Sequence, residues 1–302
     1  MELTGATPSS GKTQLLHHII AAAILPRAYN GTSLGGKEAA VALFDLSTNY
    51  SVLRLGTILK ARISEAFSAA DSNLHVCETL VHESLQHLHI FRPQSHESFI
   101  ITVAALSNYF LSDTTSRYSA NRPLGAIIIH NLSAFFWQDR QDVEVQKDAA
   151  LEEPDIPVLD PKNSLFLSRY RSLVSTLREA HISFDCPIIA TDWALANPVY
   201  NSDGSSLRPH LPGIWTKFRT VNVVLQRQSV KKFGPGMSVE EVLAEKEQRQ
   251  EAVDRSGFFG WVNWWDSEGW KEGVKIAVRA LGKQGDLKYS ISEQGVAFEA
   301  EG

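Results

Sequence analysis

The sequence predicts an α/β protein: a mostly parallel, doubly wound sheet with helices on both faces and an antiparallel hairpin at the carboxyl end. Three observations carry that expectation. Short runs of strand length, Ala39–Phe44, Leu124–Ile129 and Pro187–Thr191, show no polar alternation, as strands buried on both faces do. Stretches of helical period lie between them. The chain also opens on a strand, Glu2-Leu3-Thr4, a turn, Gly5-Ala6-Thr7-Pro8-Ser9-Ser10-Gly11-Lys12-Thr13, and an apolar helix, Gln14–Leu25, in that order.

That opening is spelled as a phosphate loop. A Gly/Ser-rich turn between a strand and a helix aims successive backbone N–H groups and the positive helix end at one point, where phosphate oxygens can sit. Lys12 is then placed to reach the β- and γ-phosphates of a nucleotide, and the Thr13 hydroxyl to ligate Mg²⁺. The candidate nucleotide contacts are Gly5, Ala6, Ser9, Ser10, Gly11, Lys12, Thr13 and Gln14, with ATP and Mg²⁺ as the expected cofactors. The pattern asks for four residues between its glycines, whereas Gly5 and Gly11 enclose five. Either Ala6 takes the first position or the loop carries one extra residue. About three residues remain for the opening strand where a central strand usually has five or six, so a truncated start is expected.

Composition bounds the rest. The chain has 302 residues, 43% hydrophobic and 21% charged, as ordinary globular proteins do, which argues against disorder. With 29 Lys plus Arg against 34 Asp plus Glu, the net charge of -5 leaves any nucleic-acid contact to a local patch. Cys77 and Cys186 lie far apart in unlike settings, which suits a reducing compartment. Neither a signal peptide nor an apolar run of membrane-spanning length is present. A cytosolic or nuclear protein is expected.

After the first helix, the connection Pro26–Lys37 contains Gly31-Thr32-Ser33-Leu34-Gly35, the spelling of a hydrolase nucleophile elbow. Here a helix precedes it and a strand follows, the reverse of what that elbow needs. The strand Ala39–Phe44 ends at Asp45, and Tyr50–Phe67 carries Val52, Leu55, Leu59 and Ile63 at helical spacing. A short strand, Leu88–Phe91, and a helix over 98–111 follow. His75, His82, His87, His89 and His96 cluster here in sequence, but His82 and His87 are five apart rather than the four that puts two ligands on one helical face. They read as surface or interface histidines. The next strand, Leu124–Ile129, ends at His130.

Residues 141–163 are acidic, hold three prolines and lack periodicity, so they predict a mobile loop. Leu165–Glu179 is helical and leads to the strand Pro187–Thr191. A second polar loop, 197–213, leads through Trp215 to the strand Thr220–Gln226. Ser238–Arg255 is densely charged and reads as a solvated helix. Behind it Phe258, Phe259, Trp261, Trp264, Trp265 and Trp270 precede a basic stripe of Lys271, Lys275, Arg279 and Lys283. Such a stripe beside aromatics can hold single-stranded nucleic acid. The plainer reading is that the aromatics fasten this segment to the body and the basic residues are its wet face. Leu287–Ile291 and Gly295–Phe298 form the closing hairpin. The chain thus divides into a core over 1–228, a charged and aromatic helical insertion over 229–285, and a hairpin over 286–302 that returns to the core.

Several runs narrow the function. Phe44-Asp45, Leu53-Arg54-Leu55-Gly56-Thr57-Ile58-Leu59, Ile127 to Arg140 with its Leu132-Ser133-Ala134-Phe135-Phe136-Trp137 core, Arg208-Pro209-His210-Leu211 with Trp215, and Tyr289 to Val296, in this order, resemble the RecA/Rad recombinase paralogues. The likeness covers residues 1–228 and returns at the carboxyl end. It implies a RecA-like P-loop NTPase core in a nuclear protein of homologous-recombination repair of DNA double-strand breaks. It also implies a partner of the same superfamily, the D-type paralogue, with this chain at one end of the assembly for lack of an N-terminal helical domain. DNA would face the loops 141–163 and 197–213.

Three departures from that family bear on catalysis. Its ATP-hydrolysing members carry a Mg²⁺-positioning aspartate where this chain has His130, a catalytic glutamate where it has Ser47, and a γ-phosphate-sensing glutamine where it has Trp193. Imidazole is a poor partner for a hard cation. Asp45 and Asp192 are the nearest carboxylates left to compensate. The expectation is a nucleotide-binding assembly subunit with weak or absent hydrolysis. The alternatives are an active DNA-stimulated ATPase, a P-loop kinase for a small molecule, and an interaction module that binds no nucleotide.

Overall fold

The structure is a computed structural model. It describes residues 1–67, 74–112, 118–152, 164–201, 204–230, 234, 236–265, 267, 270–280 and 287–299.

The chain begins with β1 (Glu2–Gly5), α1 (Lys12–Ile24), a small ribbon of β2 (Ala28–Tyr29) and β3 (Thr32–Ser33), then β4 (Ala40–Asp45). Next come α2 (Val52–Ala66), α3 (Leu74–Leu85), β5 (Leu88–Phe91), α4 (His96–Ala104) and α5 (Leu106–Leu111). β6 (Leu124–His130) leads through a short 3₁₀ turn into α6 (Phe136–Glu152), followed by α7 (Leu165–Phe184) and β7 (Ile188–Trp193). A second ribbon, β8 (Val199–Asn201) and β9 (Gly204–Ser206), precedes α8 (Gly213–Phe218) and β10 (Asn222–Arg227). The remainder is α9 (Val239–Ala244), α10 (Lys246–Arg255), β11 (Phe258–Val262), α11 (Glu272–Arg279), β12 (Leu287–Ser292) and β13 (Gly295–Phe298).

Among the described residues nine strands form one sheet in the order β13-β12-β11-β10-β1-β7-β6-β4-β5. From β10 to β5 all neighbours are parallel, while β11, β12 and β13 add on antiparallel beyond β10. The alternation of a strand decides which core each side chain joins. In β4, Val41 and Leu43 pack with Leu16 and Ile20 of α1 and Leu55 and Ile58 of α2. Ala42 and Phe44 face the other way, onto Phe99 of α4 and Tyr170, Leu173 and Leu177 of α7. This double burial is why the apolar runs show no alternation.

On the second face a buried polar clamp fixes α6. His96 Nδ1 lies 2.7 Å from Asp139 Oδ2, and the Arg169 guanidinium donates to Asp139 Oδ1 at 2.7 Å and to Asp142 Oδ2 at 2.7 Å. Asp139 is buried, so removing Arg169 would strip a buried carboxylate of its guanidinium partner.

Three local expectations are corrected. Residues 141–152 are helical, because the clamp holds the first turns of α6; 153–163 lie outside the described residues. The segment 197–213 is no open loop, since β8 pairs with β9. The first part of the aromatic run is no part of a helical insertion: Phe258–Val262 is a strand paired with β10 on one side and β12 on the other, which satisfies its backbone while Phe258 and Trp261 are buried on the sheet faces. Among the described residues no helix is long and apolar enough to cross a membrane.

Candidate functional site

Ligands of open α/β sheets bind beyond the carboxyl ends of the parallel strands, and here those ends carry Gly5, Asp45, His130, Trp193 and Arg227. A cleft of about 850 Å³ opens there, lined by the loop residues Ser9 to Gln14, by Ser47, Asn49, His130, Asn131, Thr191 and Trp193, and by Arg227, Ser256, Phe258 and Ile291–Glu293.

The loop is shaped by the sheet before it and the helix after it. Sheet bonding runs past Gly5, since the Ala6 N–H donates to the Leu225 carbonyl (3.0 Å) and the Gly5 carbonyl accepts from Ala194 N–H (3.0 Å). That leaves Thr7-Pro8-Ser9-Ser10, four residues, between the last sheet-bonded residue and Gly11. The supernumerary residue thus lengthens the strand pairing rather than the turn. Ser9 (φ 58°) and Gly11 (φ 85°) take the left-handed conformation that reverses the chain. Gly11 heads α1 with no side-chain cap, so the first-turn N–H groups of α1, which have no intrahelical partner, face the turn.

Lys12 folds back over the end of β1. A Cβ on Gly5 would stand 2.2 Å from Lys12 Nζ, so the close approach requires glycine. The ammonium lies 3.4 Å from Ser10 Oγ and 3.8 Å from the centre of the Trp193 ring, whose face attracts it. Burial pushes its pKa down to about 8, opposed by the Asp192 carboxylate.

Beyond Lys12 runs a chain of three side chains. Thr13 Oγ1 is 3.3 Å from His130 Nε2, and His130 Nδ1 is 3.2 Å from Asp45 Oδ1. The register of β4 on β6 puts Asp45 directly opposite His130. Ser47 Oγ lies 3.4 Å from the same Nδ1 and donates to Asn49 Oδ1 at 2.8 Å. Burial lowers the pKa of His130, with hydrogen bonding and charge from Asp45 acting the other way. Asp45 is fully buried, and its second oxygen accepts from the Tyr50 N–H (3.2 Å) and from Arg92 Nε–H (3.3 Å). The imidazole therefore stands between this carboxylate and the cleft.

Gly5, Ala6, Asp45 and Asp192 do not line the cleft, whereas Ser9, Ser10, Gly11, Lys12, Thr13, Gln14, Ser47 and His130 do. Asp192 lines a small polar cavity with Glu2, His210 and Asn222. Its Oδ1 has no hydrogen-bond partner, and burial, with the Glu2 charge, pushes its pKa up to about 7.

The far wall was not signalled by any motif. Tyr289 Oη donates to the Ser10 carbonyl at 3.1 Å, stacks on Phe258 at 5.4 Å and stands where a Gly11 side chain would be. Arg54 of α2 bridges Gln14 (3.1 Å) and the carbonyls of Ser292 and Glu293, pinning the hairpin turn to α1. Only the quoted likeness of Leu53 to Leu59 and of Tyr289 to Val296 pointed at these segments.

Of the basic stripe, Lys271 precedes α11, while Lys275 (3.9 Å) and Arg279 (4.0 Å) both approach Glu272; Lys283 lies outside the described residues. Trp261 is buried, Trp264 packs on Trp270 at 5.4 Å, and Trp265 is 39% exposed. Most of the rings are thus committed to packing.

No protein-family model matches the chain. It is similar to the DNA repair protein XRCC2 homolog of Arabidopsis thaliana, 22% identical over 269 residues, which is 76% of this chain and 69% of that protein. It is likewise similar to the DNA repair protein XRCC2 of Mus musculus, 28% identical over 166 residues, which is 55% of this chain and half the length of the mouse protein.

Proposed function

We infer that this chain is an XRCC2-like DNA repair protein, a RecA paralogue acting in homologous recombination, and that it works there as a nucleotide-binding assembly subunit rather than as a motor. The likeness to two XRCC2 proteins supports the repair role. What supports a RecA-like phosphate-loop core is the strand, turn and helix order, the lysine folded over Gly5, and the first turn of α1 facing a cleft.

The observation that carries the non-hydrolysing part is the imidazole of His130 between Thr13 and Asp45. Mg²⁺ takes oxygen ligands in a near-octahedral shell. At this position Thr13 Oγ1 is a fitting donor, but the carboxylate behind it is sealed and the remaining neighbours, Ser47 and Asn49, are neutral. The donor set does not fit the ion. Phosphoryl transfer relies on metal and positioned polar groups, so binding through Lys12 and the loop amides outlives turnover.

The partner in this reading is another recombinase paralogue, the D-type, in a nuclear complex through which DNA is met. Lys271, Lys275 and Arg279 are the candidate basic contacts to that DNA, and Lys283 shares their spacing. The test is co-purification with that paralogue, followed by analysis of bound nucleotide and a turnover assay. The expected result is a stable pair in which Lys12→Ala leaves the measured ATPase rate unchanged. Turnover abolished by Lys12→Ala and indifferent to loss of the partner would sink the scaffold reading.

A further inference from the structure

The charges around the cleft raise a question that weak hydrolysis does not answer: what balances a polyphosphate here. Phosphate-loop proteins commonly receive nucleotide as its Mg²⁺ complex, the metal bridging phosphate oxygens and a loop hydroxyl. In this chain the hydroxyl proton goes to a neutral ring nitrogen, which leaves the oxygen lone pairs of Thr13 open but puts no carboxylate beside them. A single neutral tautomer of His130 satisfies both neighbours, with Nδ1–H donating to Asp45 and Nε2 accepting from Thr13. The ring fills the place beside Thr13 Oγ1 with nitrogen, a poor partner for a hard cation. Fixed cations are present instead. Lys12 and Arg227 line the cleft, and its one carboxylate among the described residues is Glu293, on the rim at the hairpin turn. Arg227 is held at the end of β10 by Ser256 Oγ (2.9 Å), the Val253 carbonyl and the Phe258 ring. A guanidinium so placed is suited to phosphate oxygens and needs no metal.

We propose that this cleft takes the polyphosphate of a nucleotide as the metal-free anion, with the Thr13–His130–Asp45 chain excluding the divalent ion and Lys12 and Arg227 supplying the balancing charge. The inference rests on the nucleotide-binding reading and fixes the form in which the ligand is taken.

Titration of the full chain with a fluorescent ATP analogue, in EDTA and again in excess Mg²⁺, is the direct test. The expected affinities differ by less than about threefold. In His130→Asp, whose carboxylate would meet Thr13, Mg²⁺ is expected to tighten binding by about tenfold or more. Binding by the parent chain that requires Mg²⁺ overturns the proposal and spares the nucleotide reading. Absence of binding under both conditions overturns both. A folded His130→Asp chain that stays indifferent to Mg²⁺ removes His130 as the cause and overturns the assignment. If that variant does not fold, as its melting would show, the comparison on the parent chain still decides.

Discussion

Thr13 Oγ1 and His130 Nε2 lie 3.3 Å apart, joining the first turn of α1 to the end of β6 across the floor of the cleft. The same imidazole is the link between the cleft and Asp45. Its replacement therefore acts on stability as well as on ligand preference. His130→Ala leaves a buried carboxylate oxygen short of a donor and is expected to destabilise by about 1–3 kcal/mol, read from urea denaturation. An unchanged midpoint would mean that Arg92 and Tyr50 satisfy Asp45 without help.

Lys12 gives a pH dependence with two faces. Its folded pKa of about 8 lies below the 10.5 of an unperturbed lysine, so between those values the unfolded chain binds the extra proton. Stability accordingly rises with pH across that window, and the burial penalty is fully present below about 8. Affinity for a phosphate ligand runs the opposite way and falls above about pH 8 as the ammonium loses its proton. Lys12→Ala is expected to keep or raise the melting temperature at neutral pH while weakening nucleotide binding by at least about tenfold. Calorimetry on the two chains across this pH range checks both signs.

The two glycines of the loop separate fold from function. A Cβ on Gly5 meets two side-chain ends, Lys12 Nζ at 2.2 Å and Ser10 Oγ at 2.5 Å, both of which can turn aside, so Gly5→Ala is expected to fold with a loss of about 1 kcal/mol while weakening ligand binding. At Gly11 the backbone is left-handed (φ 85°) and the new Cβ stands 2.9 Å from Tyr289 Oη. Gly11→Ala is expected to cost about 1–3 kcal/mol in stability. Thermal melts paired with binding titrations distinguish the two; equal stability losses would refute the division.

Asp192 supplies a test away from the cleft. Its pKa is pushed up to about 7, so between the ordinary carboxylate range and that value the folded chain holds the proton that the unfolded chain has lost. Stability from this group falls as pH rises through that window. Asp192→Asn keeps the shape and removes the charge, and is expected to raise stability at pH 8 by on the order of 1 kcal/mol with a smaller gain at pH 5. A variant less stable at pH 8 than at pH 5, relative to the parent, would show that the charge is needed there.

The parts of the fold that were legible are those whose environment is uniform. β4 and β6 are buried on both faces, so a run of six residues without a polar one announced each, and the loop announced itself by its spelling. β11 was hidden because its rings look like an anchoring cluster, and its partners lie in β10 and β12, far along the chain. One signal was present: Gly260 sits mid-strand because a side chain there would run into Leu225 at 2.8 Å. α6 was missed since its sequence is acidic and nearly featureless, and what holds it is a tertiary clamp to His96 and Arg169. In the site, residue types gave the His130 substitution, but only the fold shows that the ring covers Asp45.

Tyr289 reaches back 279 positions to hold the carbonyl of Ser10. While the chain is being made, the turn around Ser10 emerges from the ribosome long before the strand that braces it. The cradle is thus finished only once residue 289 is free to fold back, and contacts of such separation are slow to close. A nascent or clipped chain ending ahead of residue 287 would carry the whole binding motif and still present it on an unbraced turn.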